Sequence, residues 1–342
     1  MPVIDADAHV VETERTWEFI PEEGQAYKPV HLVGKDPSAH KNEYWLVGDR
    51  VYANNINIGE ETPDAAREAT NIQARLSHMD ELGVDVHVLY PTLFLTPLTT
   101  KPEVDTAVCQ GYNRWLGSVW AQAPERLRWP VVLPLLDLNK AMEELHYGAE
   151  HGACGVFIRG IESQHRLSDP HWFPLYEEAS KLNLPICIHS ATGNFLAYDL
   201  FTIDSGFRAF KLAVVGAVHD LLMKEIPAKF PDLRWVVTEV SAQWLPYALN
   251  DLNLRLKKLN RPGVTKNILK DNQMYISCQT TDDFRKILEY VDEDHLVLGT
   301  DYGHNDTATE LHALRRLKES GMVDPAIVDK ILWDNPKLAY AL

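Results

Sequence analysis

The sequence predicts a (β/α)8 TIM barrel, an α/β fold, on three observations. Eight short apolar segments alternate with segments of helical period over all 342 residues, the pattern of strands each followed by a helix. No Gly-rich phosphate-binding turn follows the first strand, which disfavours a doubly wound open sheet. No Pro/Gly/Ser linker, internal repeat or low-complexity tract divides the chain, so residues 1–342 read as a single domain.

The first strand is Val3-Ile4-Asp5-Ala6-Asp7-Ala8-His9, where strand alternation sends Asp7 and His9 to the same side. Residues 21–63 are polar and irregular. Within them Glu43–Val47 and Val51–Ala53 flank Gly48-Asp49-Arg50 and read as a small β-hairpin. The expectation for 21–63 is a lid or interface arm inserted after strand one. Asp64 to Leu82 reads as a helix stopped by Gly83, with Ile72, Leu76 and Met79 on one face. The strand 84–91 follows, then a helix over 103–123, a strand over 126–133, a helix over 139–151 and a strand over 155–158. A helix over 172–182, a strand over 185–189, a long helical region over 206–230 and a strand over 233–239 come next. A helix over 245–259, a strand over 274–277, a helix over 282–290 and a last strand over 295–301 lead to two closing helices.

Composition narrows the function. Hydrophobic residues make up 45% and charged residues 24%, so a large core is expected. The net charge of −16 and a pI near 5.3 argue against nucleic acid or an anionic membrane as partner. An anionic substrate stays compatible, because a metal and one Arg reverse the sign locally. No apolar run approaches the roughly 20 residues of a membrane span, and Met1 leads straight into a polar-ended strand, so a cytoplasmic protein without a signal peptide is expected. Cys109, Cys154, Cys187 and Cys278 are scattered without a CxxC and read as unpaired, buried thiols.

Active residues of a barrel gather where its strands end. There the sequence places Asp7 and His9 (strand one), Arg159 (four), His189 (five), Glu239 (six) and Asp301 (eight), with His304 three residues later. Taken singly, each has a plain structural reading: His189 as a hydrogen-bonded core histidine, Asp301 as a helix cap, Arg159 as an ion-pair partner and His304 as a solvated loop residue. Two imidazoles with two or three carboxylates converging at equivalent strand ends suit a divalent ion such as Zn, Mn or Fe.

The early Ile4-Asp5-Ala6-Asp7-Ala8-His9-Val10-Val11-Glu12, the His ending strand five and the late Gly299-Thr300-Asp301-Tyr302-Gly303-His304-Asn305-Asp306 carry a resemblance. The chain resembles the amidohydrolase superfamily over essentially its whole length. It most resembles the amidohydrolase-related branch that includes aminocarboxymuconate-semialdehyde, resorcylate and carboxyvanillate decarboxylases. The resemblance implies that His9, His189 and Asp301 ligate the metal, with Asp7 in the place of the first His of the usual His-x-His. Two-metal members of the wider superfamily carry a carboxylated Lys at the end of strand four. Arg159 stands there instead; it cannot form that bridge, and it has the geometry to clamp a substrate carboxylate. Glu239 replaces the usual strand-six His, as a ligand, a proton shuttle or a partner that orients an imidazole.

The expected function is a metal-dependent decarboxylase of a small, aromatic or unsaturated, carboxylic acid. Asp301, Glu239 and His304 are the candidate catalytic residues, and Arg159 and His304 are the candidate substrate contacts. One divalent ion, Zn or Mn before Fe, is held by Asp7, His9, His189 and Asp301. The first alternative is a metal-dependent hydrolase of an amide, ester or lactone, in which Asp301 takes the proton of an activated water. The second recruits Glu239 and His304 to a second metal, giving a dinuclear iron/manganese oxygenase or its partner subunit. Glu12 is expected to anchor the strand-one loop, while Trp17 and Trp244 are packing or lid residues. The branch implies a homo-oligomer, dimer or tetramer, with a hetero-oligomer as the alternative.

Overall fold

The computed structural model describes residues 2–34, 43–53, 57–201 and 206–342. In chain order the strands are β1 (Ile4–His9), β2 (Val30–Val33), β3 (Glu43–Val47), β4 (Arg50–Ala53), β5 (Val86–Tyr90), β6 (Leu127–Val132), β7 (Ala153–Arg159), β8 (Ile161–Glu162), β9 (His165–Arg166), β10 (Ile186–His189), β11 (Trp235–Thr238), β12 (Met274–Cys278) and β13 (Leu296–Leu298). One eight-stranded sheet runs in the order β1-β5-β6-β7-β10-β11-β12-β13, every neighbour parallel. The ring closes between the chain's first and last strands. His9 N–H donates to Tyr302 O and Asp301 N–H to Asp7 O, each at 2.8 Å. This is the expected (β/α)8 barrel.

Parallel strands covered on both faces must be apolar throughout rather than alternating. Accordingly β6, β10, β11 and β12 are buried or nearly so along their length. Val156, Ile158, Ile186, Ile188, Val237 and Ile276 are fully excluded from solvent, each contributing about 1.5–3 kcal/mol by burial. β1 is the exception that matters: all six of its residues are buried, yet three are Asp5, Asp7 and His9.

Helix ends follow local chemistry. The Asp137 side chain accepts from Asn139 N and Lys140 N at the start of Leu138–Glu150, and Gly83 ends Ile72–Leu82 at φ 72°. Several expected boundaries move. The helix over 64–82 is two, Asp64–Arg67 and Ile72–Leu82, because Ala69 turns left-handed (φ 50°) and Asn71 starts a new helix by accepting from Ala74 N. The region 206–230 divides into a π-turn Phe207–Lys211, a helix Leu212–Met223 and a short helix Ile226–Lys229, broken at Glu225 (φ 55°). The helix over 282–290 shortens to Phe284–Ile287. A helix at Phe195–Phe201 and the small β8–β9 hairpin were not anticipated.

The hairpin of β3 and β4 forms as read, joined through Gly48 at φ 60°. β2 adds a third antiparallel strand against β3. Its pairing partners lie ten to sixteen residues away, so no local turn announces it. Residues 35–42 and 54–56 of the 21–63 insertion lie outside the described residues. All four cysteines are free and buried. Trp17 is fully buried in the core and Trp244 is partly buried. Among the described residues no helix is long and apolar enough to cross a membrane.

Candidate metal centre and substrate cavity

Six polar residues converge at the C-terminal mouth of the barrel. Asp7 and His9 come from β1, His189 ends β10, Glu239 follows β11, and Asp301 and His304 follow β13. One ligand atom from each of Asp7, His9, His189 and Glu239 lies within 4.8 Å of the others; His9, Asp301 and His304 form a second such group, and Glu239, Asp301 and Asp306 a third. His189 Nε2 is 3.2 Å from Asp7 Oδ1. His9 Nε2 is 3.5 Å from Asp7 Oδ1, 3.3 Å from Asp301 Oδ1 and 4.0 Å from Glu239 Oε2.

The backbone is bent to bring these side chains together. β1 shifts register between Asp5 and Ala8. Glu239 and Asp301 both adopt positive φ, 62° and 55°, which costs a non-glycine residue about 1–3 kcal/mol and is characteristic of functional sites. Gly299 is required here, because a Cβ would collide with the backbone and Cβ of Asp7 where β13 passes β1.

Among the described residues, His9 Nε2 and Glu239 Oε2 of this cluster are buried and make no hydrogen bond, although Glu239 Oε2 lies 3.4 Å from His189 Nδ1. Such orphaned groups are costly unless a ligand satisfies them. His9 Nδ1 meets Pro91 O at 2.9 Å, and a carbonyl can only accept. The proton therefore sits on Nδ1, and the lone pair of Nε2 faces the carboxylates. A cation satisfies an imidazole lone pair and a ring of carboxylates at once, so the donor set fits a divalent ion.

The electrostatics agree. Burial, helped by nearby His304, pushes His9 down to about 3, so it is neutral. Burial works against the Asp7 carboxylate, but His189 and His9 outweigh it and hold Asp7 below the usual range. Burial and the neighbouring Asp301 push Glu239 well up, and burial lifts Asp301 to about 6. Carboxyls crowded together out of water resist ionisation until a positive charge joins them.

His304 is buried rather than solvated. Its Nδ1 lies 2.8 Å from Asp301 Oδ1 and its Nε2 2.9 Å from Thr92 Oγ1. Burial disfavours its charged form, but Asp301 overrides that and raises its pKa. Both His304 nitrogens are thus engaged, one of them on Asp301. Thr309 Oγ1 donates to the other Asp301 oxygen at 2.6 Å. Glu12 anchors the strand-one loop, accepting from Thr92 N (3.1 Å) and Leu93 N (3.0 Å).

Arg159 is already paired within the chain. Its Nε and Nη2 donate to the two Glu162 oxygens at 2.8 and 2.6 Å, and its Nη1 donates to Phe94 O and Thr96 O. The fork expected to clamp a substrate carboxylate is already filled by a carboxylate of the chain itself. Glu162, three residues downstream in β8, was the signal: an acid at that spacing after an Arg at a strand end.

A cavity of about 390 Å³ opens beside His304 and Asp306. Its walls carry Tyr52 from β4, Leu95, and Tyr198, Phe201 and Phe210 from the segment after β10. Apolar and aromatic walls with a few polar groups at one end are the usual make-up of a small-molecule site. Asn57, at the end of the insertion, also lines the cavity and donates to Asp306 Oδ2 at 3.1 Å. Asp306 was not singled out from the sequence; its place five residues after Asp301, in the same loop, was the available hint.

Residues 4–342 match the amidohydrolase family. A 116-residue stretch is 27% identical to 2-amino-3-carboxymuconate-6-semialdehyde decarboxylase of Dictyostelium discoideum, covering 34% of this chain and 32% of that relative. The match thus spans about a third of the relative's length. Among solved structures, an amidohydrolase from Mycobacterium avium subsp. paratuberculosis K-10 superposes with a TM-score of 0.78 at 19% identity, covering 98% of this chain and 96% of the other. A dihydroxybenzoic acid decarboxylase from Polaromonas sp. JS666, solved with manganese and the inhibitor 2-nitroresorcinol, superposes with a TM-score of 0.68 at 16% identity, covering 100% and 97%. These likenesses are of fold and cover nearly the whole chain, and the match from Ile4 to Leu342 makes it a member of the amidohydrolase family.

Proposed function

We propose that this protein is a metal-dependent decarboxylase of a small aromatic or unsaturated carboxylic acid. One observation carries the reading: two orphaned buried donors, His9 Nε2 and Glu239 Oε2, stand in a carboxylate-imidazole cluster beside an apolar, aromatic-walled cavity. A relative named as a decarboxylase and a structural neighbour holding manganese support it. Asp7, His9, His189 and Asp301 are the residues that would hold one divalent ion, with manganese or zinc the assignment and Glu239 beside them. When bound, the ion supplies a positive charge that anchors the substrate's carboxylate and stabilises negative charge developing in the reaction.

The chain's own groups do the rest. The aromatic walls seat the ring or unsaturated chain and exclude water. Asp301, held by His304 and Thr309, delivers a proton to the carbon bearing the carboxylate. The carbon–carbon bond then breaks, its electron pair returns to that carbon's π system, and carbon dioxide leaves. His304 Nδ1, on the Asp301 oxygen at 2.8 Å, is placed to return a proton to Asp301. We assign residues 21–63 the part of a lid over a single barrel domain, because Tyr52, Ala53 and Asn57 form one wall of the cavity. A homo-oligomer is the proposed assembly. Helix Phe195–Phe201 buries none of its residues, with Leu196 79% and Leu200 72% exposed. A reducing, cytoplasmic setting accords with the free cysteines.

The test is carbon dioxide release from a panel of aromatic and unsaturated carboxylates by the manganese- or zinc-loaded protein. Release that stops with a chelator and returns with the metal is the expected result. Hydrolysis of esters or lactones without carbon dioxide release would sink the reading in favour of a hydrolase, and oxygen uptake by an iron-loaded sample would favour an oxygenase.

A further inference from the structure

Arg75, on helix Ile72–Leu82, is fully buried, and none of its hydrogen-bond partners is a carboxylate. Nε and Nη2 both point at His87 Nδ1, at 3.2 and 3.0 Å. Nη1 donates to His9 O at 2.8 Å and to Ala66 O at 3.3 Å. The face of the guanidinium lies 4.3 Å over the ring of Tyr302. Burying a cation this way is expensive, and such an arrangement persists where the geometry it enforces is needed.

Those partners stand on both sides of the seam that closes the barrel. His9 is the last residue of β1, Tyr302 directly follows Asp301, and His9 N–H donates to Tyr302 O at 2.8 Å. A guanidinium only donates, so His87 Nδ1 is the unprotonated acceptor and its proton sits on Nε2. That nitrogen faces Asp5 Oδ2 at 3.6 Å. Asp5 in turn accepts from Thr300 N (2.9 Å), Thr300 Oγ1 (2.5 Å) and Asp7 N (3.2 Å). His87 Nε2 makes no hydrogen bond at that distance, so the direct ties across the seam are Arg75 Nη1 on His9 O and the guanidinium over the ring of Tyr302, the residue after Asp301. Regular pairing does not fix this seam alone: among the described residues the two sides meet through an isolated bridge, Ala8 to Tyr302, and Asp301 turns left-handed.

We propose that Arg75 is a positioning residue for the metal centre, setting the spacing between Asp7 and His9 on β1 and Asp301 after β13. The inference rests on the metal-site reading above. It is tested by titrating metal-free wild type, Arg75→Met and Arg75→Lys with zinc and with manganese against a chromogenic chelator, and melting each metal-free protein alongside. Lys keeps the charge but loses the fork and the flat face over Tyr302. Both variants are expected to lose about 10- to 100-fold in metal affinity, the range for partners that orient ligands. A residue that only stabilised the fold would lower the melting temperature and leave the metal dissociation constant alone. Affinity within twofold of wild type in a folded variant overturns the proposal. So does tighter binding by Arg75→Met with Arg75→Lys unchanged, which would make Arg75 only a repelling charge. If Arg75→Met does not fold, Arg75→Lys and His87→Gln carry the same comparison. A wild type that binds neither metal overturns both the metal reading and this inference; a wild type that binds with unaffected variants overturns the inference alone.

Discussion

Two clusters of buried charge behave in opposite ways. Around Arg159 every group is answered: Glu162 fills the guanidinium fork, Phe94 and Thr96 carbonyls take the remaining Nη1 donors, and the cavity there, of about 30 Å³, has room for little more than a water. Around His9 the count does not close. Among the described residues, His9 Nε2 and Glu239 Oε2 make no hydrogen bond, three carboxyls crowd each other, and a cavity of about 390 Å³ opens alongside. A satisfied cluster has no capacity left for a ligand, whereas an unsatisfied one keeps atoms free to take one. In this structure Arg159 is ion-paired, although the sequence presents it at a strand end just as it presents His189.

The sharpest way to break this contrast is to remove one group from each cluster. Asp301→Asn keeps the shape of the side chain but removes its proton chemistry. The expected loss in turnover is about 10²- to 10⁴-fold, with a melting temperature close to wild type. Full turnover by this variant would take Asp301 out of the mechanism. Glu162→Ala should do the reverse. It strands the buried Arg159 without its counter-charge and should cost about 3–5 kcal/mol of stability, read by denaturant unfolding, while the metal affinity of the surviving folded fraction stays unchanged.

A smaller effect comes from Asp105, beside the Arg159 pair. Burial lifts its carboxyl to about 7, offset only in part by Leu136 N–H and by Arg159. In the unfolded chain the same group titrates near the ordinary Asp value. Between roughly pH 4 and pH 7 the folded protein therefore holds a proton that the unfolded chain has lost, so this contribution is fully present at low pH and disappears as pH rises through 7. Asp105→Asn should flatten stability across that window by on the order of 1–3 kcal/mol. An unaltered pH–stability curve would show that Asp105 is ionised in the fold.

The sequence shows the barrel because each β/α unit announces itself locally. Apolar runs such as Pro185–Ile188 and Trp235–Val237 have the length of buried strands, and Gly83 marks a helix end through a rule that spans four residues. It also shows Asp7, His9, His189, Glu239, Asp301 and His304, because strand order alone brings strand ends to one rim. What it hides is non-local. β2 pairs with β3 ten to sixteen residues away, and Arg75 reaches from a helix to a seam between the first and last strands.

By itself, then, the sequence determined the fold class and the ring of candidate ligands, since periodicity and strand-end placement are properties of neighbours along the chain. Only the tertiary structure decided which of those charged groups are spent on each other and which are left open. Partnership between side chains depends on distances of about 3 Å between atoms up to three hundred residues apart, as Thr300 on Asp5 and Asp301 on Asp7 show. No pattern within a strand or helix encodes such distances.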